Sequence, residues 1–250
     1  MPRTARSLVA GGHYHILSRG NNRAAVFHDA YDYQAFVGLM EQAQSRVRLS
    51  ILAVCVMPNH FHIVAAQEAA TDVSRWIHWL LTTHTHRHHL KYESCGRVWQ
   101  GRFKAFPIEQ DGHLLTVMRY VERNALRAGL VDRAEAWSWG SLAWRFGLSR
   151  STRPCLADVA LPQDWAEWVN APQTAEELEA IRACVNHQKP YGDDTWACEQ
   201  SALSPSRSTG RRRGRPGKNP PATLTVTAGA GAGERPPKNR RMSPISSARP

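Results

Sequence analysis

The chain has 250 residues, enough for one or two domains with a buried core, and no apolar run near the ~20 residues that a helical membrane span needs. Its start, MPRTARSLVAGG, is basic and soon polar rather than a secretory apolar stretch, and five scattered cysteines with no CxxC argue against a disulfide framework or a four-thiolate zinc site and fit a reducing cytosol. Lys and Arg outnumber Asp and Glu by 32 to 21, and a net charge of +11 attracts polyanions, of which nucleic acid is the usual one.

In chain order, HYHILS at 13–18 alternates and reads as a strand. Asp29 caps a helix over about 30–48, with Tyr33, Phe36, Val37, Met40 and Val47 at helical spacing. SILAVCVM at 50–57 is apolar on both faces, as a central buried strand is. Pro58-Asn59 is turn chemistry, and HFHIVAA at 60–66 is the returning strand of a hairpin. Thr71 or Asp72 caps the next helix, whose buried stripe is Val73, Trp76, Ile77, Leu80 and Leu81. After the loop ESCGRVWQGR at 93–102, FKAFPIE at 103–109 is a fourth strand whose proline favours an edge or an end. Asp111 caps a last helix with Leu114, Met118, Val121 and Ala125 facing the core, and Gly129 is its stop.

These elements predict an α+β fold: a ferredoxin-like split β-α-β core with one antiparallel sheet, helices on one face and the other face free for a ligand. The core takes residues 1–133, a Trp-rich acidic extension 134–200, and a basic tail 201–250. The extension opens a short helix with the capping box Thr174-Ala-Glu-Glu177. The tail holds RRRGRPGK at 211–218 and no aromatic residue, a composition that predicts disorder. The charge follows the same division: 19 basic and 11 acidic side chains over 1–155, 2 and 9 over 156–200, 11 and 1 over 201–250.

Two patterns carry chemistry. His60 and His62 are two apart on a strand, so both imidazoles project to one face, a half-site for a divalent metal, while Phe61 packs on the other. Two satisfied polar histidines have the same pattern. Tyr120 lies at the border of the last helix's apolar stripe, with Asn124 one turn on. A tyrosine hydroxyl can attack a phosphodiester, but a phenol is mostly protonated at neutral pH and needs a metal or base nearby; plain packing is the other reading. His13 with His15, and His84 with His88, are rival ligand pairs. Arg19, Arg23, Arg97, Arg102, Lys104, Arg119, Arg123 and Arg127, interleaved with Trp99, Phe103 and Phe106, suit single-stranded nucleic acid, guanidinium on phosphate and ring on base. Buried rings and solvated charges are the alternative. The tail's Arg212, Arg213 and Arg215 join the DNA-binding set, GRP at 214–216 being shaped for a minor groove.

Together, HYHILSRGNNRAAVF (13–27), MPNHFHIV (57–64), GRVWQGRFK (96–104), YVERNALRAGLV (120–131), PYGDDTW (190–196) and RRGRPGK (212–218) resemble the REP-associated tyrosine transposases, a branch of the single-tyrosine HUH transposases. The resemblance implies the ferredoxin-like core, His60 and His62 as the HUH pair, Tyr120 as nucleophile, Asn124 as third ligand, and Mg²⁺ or Mn²⁺ as the metal. It implies single-stranded DNA beside palindromic hairpins as partner, a 5′-phosphotyrosine and a free 3′-OH as cleavage products, no nucleotide cofactor, no membrane, and work in the bacterial cytoplasm at the nucleoid. Monomer and homodimer both stay open. Where relatives carry Asn-Pro, this chain has Asn124-Ala125, and alanine lets the helix run on. The function expected is that of a DNA nicking and strand-transfer enzyme. A domesticated hairpin-binding protein with little catalysis is the alternative, and a metal-dependent RNA-binding or RNA-cutting protein is a third.

Overall fold

The structure, a computed structural model, describes residues 8–148 and 153–203. Strands β1 (His13–Arg19), β2 (Ser50–Met57), β3 (His60–Ala66) and β4 (Lys104–Ile108) pair antiparallel in the order β2-β3-β1-β4. Helix α1 (Ala30–Arg46) links β1 to β2, and α2 (Asp72–Tyr92) links β3 to β4. This is the ferredoxin-like split β-α-β arrangement.

Local chemistry sets the element ends. The Asp29 carboxylate accepts from Asp32 N at 2.9 Å to start α1. Thr71 occupies the N-cap of α2 without a side-chain bond, and the Asp72 carboxylate reaches back to Ala69 N at 2.8 Å. Asp111 accepts from His113 N at 2.7 Å to open α3 (Gly112–Glu122). Even without a proline the helix is interrupted, at Arg123, and resumes as the short α4 (Asn124–Arg127). It ends at Gly129, where φ is +67°; Gly129 N bonds Leu126 O and Leu130 N bonds Ala125 O, the left-handed stop that glycine adopts without steric cost.

Both faces of the sheet are covered. On one, Ile16, Phe61 and Ile63 pack against Phe36 and Met40 of α1 and Trp76, Ile77 and Leu80 of α2. The second face, expected to be free, lies under α3, α4 and the C-terminal extension: Cys55, Val64, Phe106 and Ile108 cluster with Val117, Met118 and Val121 of α3 and with Trp165, Val169 and Ile181 of the extension. The extension consists of α5 (Ser141–Arg145), α6 (Trp165–Asn170), α7 (Ala175–His187) and α8 (Asp194–Leu203). The described residues fall within one compact unit, so the change of composition near 134 marks no division into separate bodies.

A second correction concerns β2. It is not central but lies at the edge of the sheet. Its apolar character on both sides is explained by cover from the extension, which also bonds its outer edge: Val56 N donates to Trp139 O at 3.0 Å, Trp137 Nε1 to Val56 O at 2.9 Å, and Ala157 N to Ile51 O at 2.7 Å. At the opposite edge, β4 carries Pro107 and is bonded by Tyr191 of the KPYG turn, whose N donates to Pro107 O at 2.9 Å. The edge position expected of that proline holds. Among the described residues no helix is long and apolar enough to cross a membrane. The tail expected to be disordered lies outside the described residues from 204 on, and α8 extends to Leu203.

Candidate active site

Pairing register decides which side chains meet on the second face. His60 is opposite Arg19, and His62 opposite both Leu17 on β1 and Cys55 on β2; Leu17 is also opposite Lys104. Opposed residues share a face, so His60, His62, Arg19 and Lys104 all project toward the side covered by α3. His15, one pleat along β1, is on the same side and opposite Phe106.

The His60 and His62 rings are 5.1 Å apart between centroids and nearly perpendicular. Tyr120, eight residues beyond the start of α3, places its ring 5.9 Å from that of His62 and 6.0 Å from that of His15. The fold therefore gathers a phenol and the strand imidazoles at one place. Asn124, buried one turn after Tyr120, accepts through Oδ1 a hydrogen bond from Arg127 Nη2, and its Nδ2 is buried with no partner among the described residues. The Arg127 guanidinium lies 4.2 Å from the Tyr120 ring centroid, a cation–π distance.

Each imidazole has an identifiable partner. His60 Nδ1 is 2.6 Å from Asn59 Oδ1, which accepts its proton and leaves His60 Nε2 with a lone pair. His62 Nδ1 is 2.8 Å from His15 Nε2. Burial, reinforced by Arg127, lowers the His15 pKa to about 3. Burial, then Arg19 and Arg127, lowers that of His60 to about 4. Burial, with His15 and His60 beside it, puts His62 well below its ordinary value. All three are neutral at physiological pH, the form that donates a lone pair to a cation.

Asn59 and His15 were not singled out by sequence as parts of this site. Asn59 reads as a turn residue, yet it joins two segments: its Nδ2 donates to Arg23 O at 2.9 Å while its Oδ1 holds His60. His15 reads as half of a rival ligand pair, and its place beside His62 follows only from the pairing of β1 with β3. Gly20 supports the same corner, since a Cβ there would come within 2.4 Å of Ala24 O.

The expected DNA-binding side chains separate into groups. Arg19 is half-buried beside His60, and Arg23 is exposed in the turn packed on Asn59. Arg97 and Arg102 are exposed and line a groove of about 640 Å³ along α2, with His78 and Thr82 on its helix side. Arg127 belongs to the Tyr120 cluster. Lys104 donates to Val185 O at 3.1 Å, and Arg123 donates to Val169 O and Asn170 O, so both are spent on the extension. Trp99 is buried against Phe27, Phe36 and Phe61, and Phe103 and Phe106 are buried as well, so these rings do not stand out as stacking platforms for bases. Arg212, Arg213 and Arg215 lie outside the described residues.

Among the described residues, a different trio, Glu109, Asp111 and His113, brings carboxylate and imidazole ligand atoms within 4.8 Å of one another. It lies at the far end of α3 from Tyr120, and its groups are engaged: Asp111 caps α3 and contacts His113 Nδ1 at 2.8 Å, and Glu109 accepts from Asp193 N at 2.8 Å.

Comparison with known proteins shows what the fold and part of the sequence are similar to. Among solved structures, the fold is similar to that of a REP-associated tyrosine transposase bound to a REP hairpin, with a TM-score of 0.50 and 20% identity over 65% of this chain and 96% of that one. A putative transposase from Deinococcus radiodurans R1 aligns at a TM-score of 0.34 and 16% identity, over 48% of this chain and 96% of that one. No curated protein matches the sequence. The family described as "Transposase IS200 like" matches residues 8–124, a span that runs from the first strand through His60, His62 and Tyr120 to Asn124. Over those residues the chain is similar to the IS200-like transposase family.

Proposed function

We propose that this chain is a metal-dependent single-stranded DNA endonuclease and strand transferase that acts at hairpin repeats through a covalent 5′-phosphotyrosine. The observation that carries this reading is the Tyr120 ring lying 5.9 Å from the ring of His62, which in turn is 5.1 Å from that of His60. The family-model match over 8–124 supports it, and a hairpin in the structure of the similar transposase supports a hairpin as the partner. The setting is the bacterial cytoplasm, at the nucleoid.

In this reading the Tyr120 oxygen attacks a backbone phosphorus, the bond from phosphorus to the 3′ oxygen breaks, and the phenolic proton leaves for solvent or the departing oxygen. The DNA then carries a 5′-phosphotyrosine on one side and a 3′-OH on the other. Attack by a 3′-OH reverses the step and joins strands, so no nucleotide is consumed.

The residues present fit a divalent ion. His60 keeps Nε2 free because Asn59 takes Nδ1, the imidazoles are neutral, and Asn124 offers a buried amide oxygen that now accepts from Arg127. His60, His62 and Asn124 would hold Mg²⁺ or Mn²⁺, which supplies polarisation of the scissile phosphate and charge neutralisation. His15 and Asn59 act behind the ligands, fixing ring orientation through their Nδ1 contacts. Arg19 and Arg23 lie where a phosphate backbone approaching His60 would pass, and Arg97 and Arg102 would continue the grip along the α2 groove. The basic tail would hold hairpin duplex and raise the local concentration of the strand.

One observation favours the second reading, a hairpin-binding protein with a regulatory or structural role and little catalysis: the oxygen of Asn124 is already engaged by Arg127. The two are separated by incubating the full chain with labelled single-stranded hairpin repeats from its own genome, in Mn²⁺ or in chelator. A DNA-linked protein band that needs Mn²⁺, and is absent from Tyr120→Phe and His60→Ala, establishes the enzyme. Hairpin binding with no such band under any condition establishes the binder.

A further inference from the structure

Three arginines follow one another four residues apart, Arg119 on α3, Arg123 at its interruption and Arg127 on α4, and they differ in what they hold. Arg119 donates to Trp168 O, Ala171 O and Pro172 O, and Arg123 to Val169 O and Asn170 O, so both clasp the C-terminal end of α6. Arg127 has no hydrogen bond to the described residues of the extension. It turns back over the Tyr120 ring and donates from Nη2 to Asn124 Oδ1, while Nη1 is buried with no partner among the described residues. The Tyr120 ring under that guanidinium lies 5.9 Å from the ring of His62 and 6.0 Å from that of His15.

We propose that Arg127 gates the third ligand position: in the DNA-free protein its guanidinium occupies the Asn124 oxygen in place of a divalent ion, and an incoming DNA phosphate draws it off. This deepens the function proposed above and rests on it. The chemistry is that of two cations competing for one acceptor. A guanidinium and a divalent ion repel, and in a half-buried site that repulsion is far stronger than in water. A phosphodiester offers the guanidinium two charged oxygens in fork geometry, a better partner than one neutral amide oxygen. The unpartnered Nη1 is the donor that such a phosphate would satisfy. Strand entry then does two things together: it places Arg127 on the phosphate beside Tyr120 and frees Asn124 to complete the ligand set. The ion is held fully only when substrate is present, which keeps the phenol idle otherwise. By linkage, whatever DNA gains from the ion, the ion gains from DNA.

The test is a double-mutant cycle on Mn²⁺ affinity in the DNA-free full chain, read by electron paramagnetic resonance. Arg127→Met keeps an apolar stem over Tyr120 and removes the competing cation. It is expected to tighten Mn²⁺ binding by about tenfold or more, the scale of one charge-assisted hydrogen bond. Asn124→Ala alone is expected to change DNA-free affinity little, because its oxygen is already taken, and the double variant is expected to lose the gain. A gain that persists in the Asn124→Ala background shows general charge repulsion and overturns the gate, as does an unchanged Arg127→Met. If the wild type binds Mn²⁺ through His60, lost in His60→Ala, and only the cycle fails, the gate falls and the metal reading stands; if neither wild type nor Arg127→Met binds Mn²⁺, both fall. A second readout uses the wild type alone. The side-chain resonance of ¹⁵N-labelled Arg127 is expected to move when hairpin DNA is added without metal; an unmoved resonance in a DNA-bound sample contradicts the proposal.

Discussion

The two faces of the sheet are built from the same strands and carry different side chains. On the α1 and α2 face, β1 and β3 present Tyr14, Ile16, Phe61 and Ile63, nearly free of solvent and packed on aromatic and aliphatic side chains. On the α3 face the alternate residues of the same strands are His15, His60 and His62. One step along β3 moves from Phe61, fully buried in an apolar cluster, to His62, whose Nδ1 meets another imidazole. The period of two thus gathers three imidazoles on one side, beside Val64 and Phe106 of its own apolar cluster, and Tyr14, Ile16, Phe61 and Ile63 on the other. Three buried polar atoms without partners among the described residues, His15 Nδ1, Asn124 Nδ2 and Arg127 Nη1, belong to the Tyr120 cluster on the imidazole side. Such atoms are costly in a folded protein and are expected where a ligand completes the set.

Substitutions that separate the faces sharpen the contrast. The largest effect is expected from Tyr120→Phe, which should abolish covalent DNA–protein adducts while leaving hairpin affinity and the unfolding midpoint near those of the wild type. Loss of binding with the adducts would assign Tyr120 to packing. On the opposite face, Phe61→Ala should cost about 3–5 kcal/mol of stability in denaturant titration, the scale for truncating a buried aromatic. Glu122→Gln comes next. Its carboxylate accepts from Ser141 Oγ at 2.5 Å, Arg145 Nε at 3.1 Å and Trp165 Nε1 at 2.7 Å, and so ties the helix of Tyr120 to the extension. Losing that charge should cost about 1–3 kcal/mol and speed proteolysis beyond residue 134.

The most gradual effect is on acid stability. In the folded chain His15 and His60 titrate at about 3 and about 4, against 6.5 for the free side chain. Below pH 6.5 the unfolded chain takes up protons that the folded chain does not, so stability falls as pH drops through that window, by up to about 1.4 kcal/mol per pH unit for each histidine. The loss from His15 is complete near pH 3 and that from His60 near pH 4. His15→Phe, which removes one such group beside Phe106, should make the slope between pH 6.5 and 4 shallower; an unchanged slope would mean that His15 is not held neutral by burial.

Much of this contrast is legible in the sequence because it is local. The hairpin, the Asp29 and Asp111 caps and the Gly129 stop depend on a few adjacent residues, and the HxH pattern fixes which face the imidazoles share. What escapes is set by distant chain. An apolar β2 reads as central because nothing local shows that Trp137, Trp139 and Ala157 will cover its edge. Arg123 and Lys104 read as DNA contacts because the carbonyls that take them, at 169–170 and 185, are dozens of residues away. Trp99 reads as a stacking ring because its burial under Phe27 and Phe36 is a tertiary fact. The interruption at Arg123 occurs without the proline that would announce it.

The central claim, that Tyr120 becomes joined to DNA at a site built by His60 and His62, is tested most directly by peptide mass mapping. The full chain is incubated with single-stranded hairpin DNA and Mn²⁺, trimmed with nuclease and protease, and searched for a nucleotide-bearing residue. The account predicts a 5′-phosphonucleotide on Tyr120, dependent on the metal and missing from His60→Ala. A nucleotide mapped to any other residue, or cleaved DNA with an unmodified Tyr120 peptide throughout the time course, contradicts it.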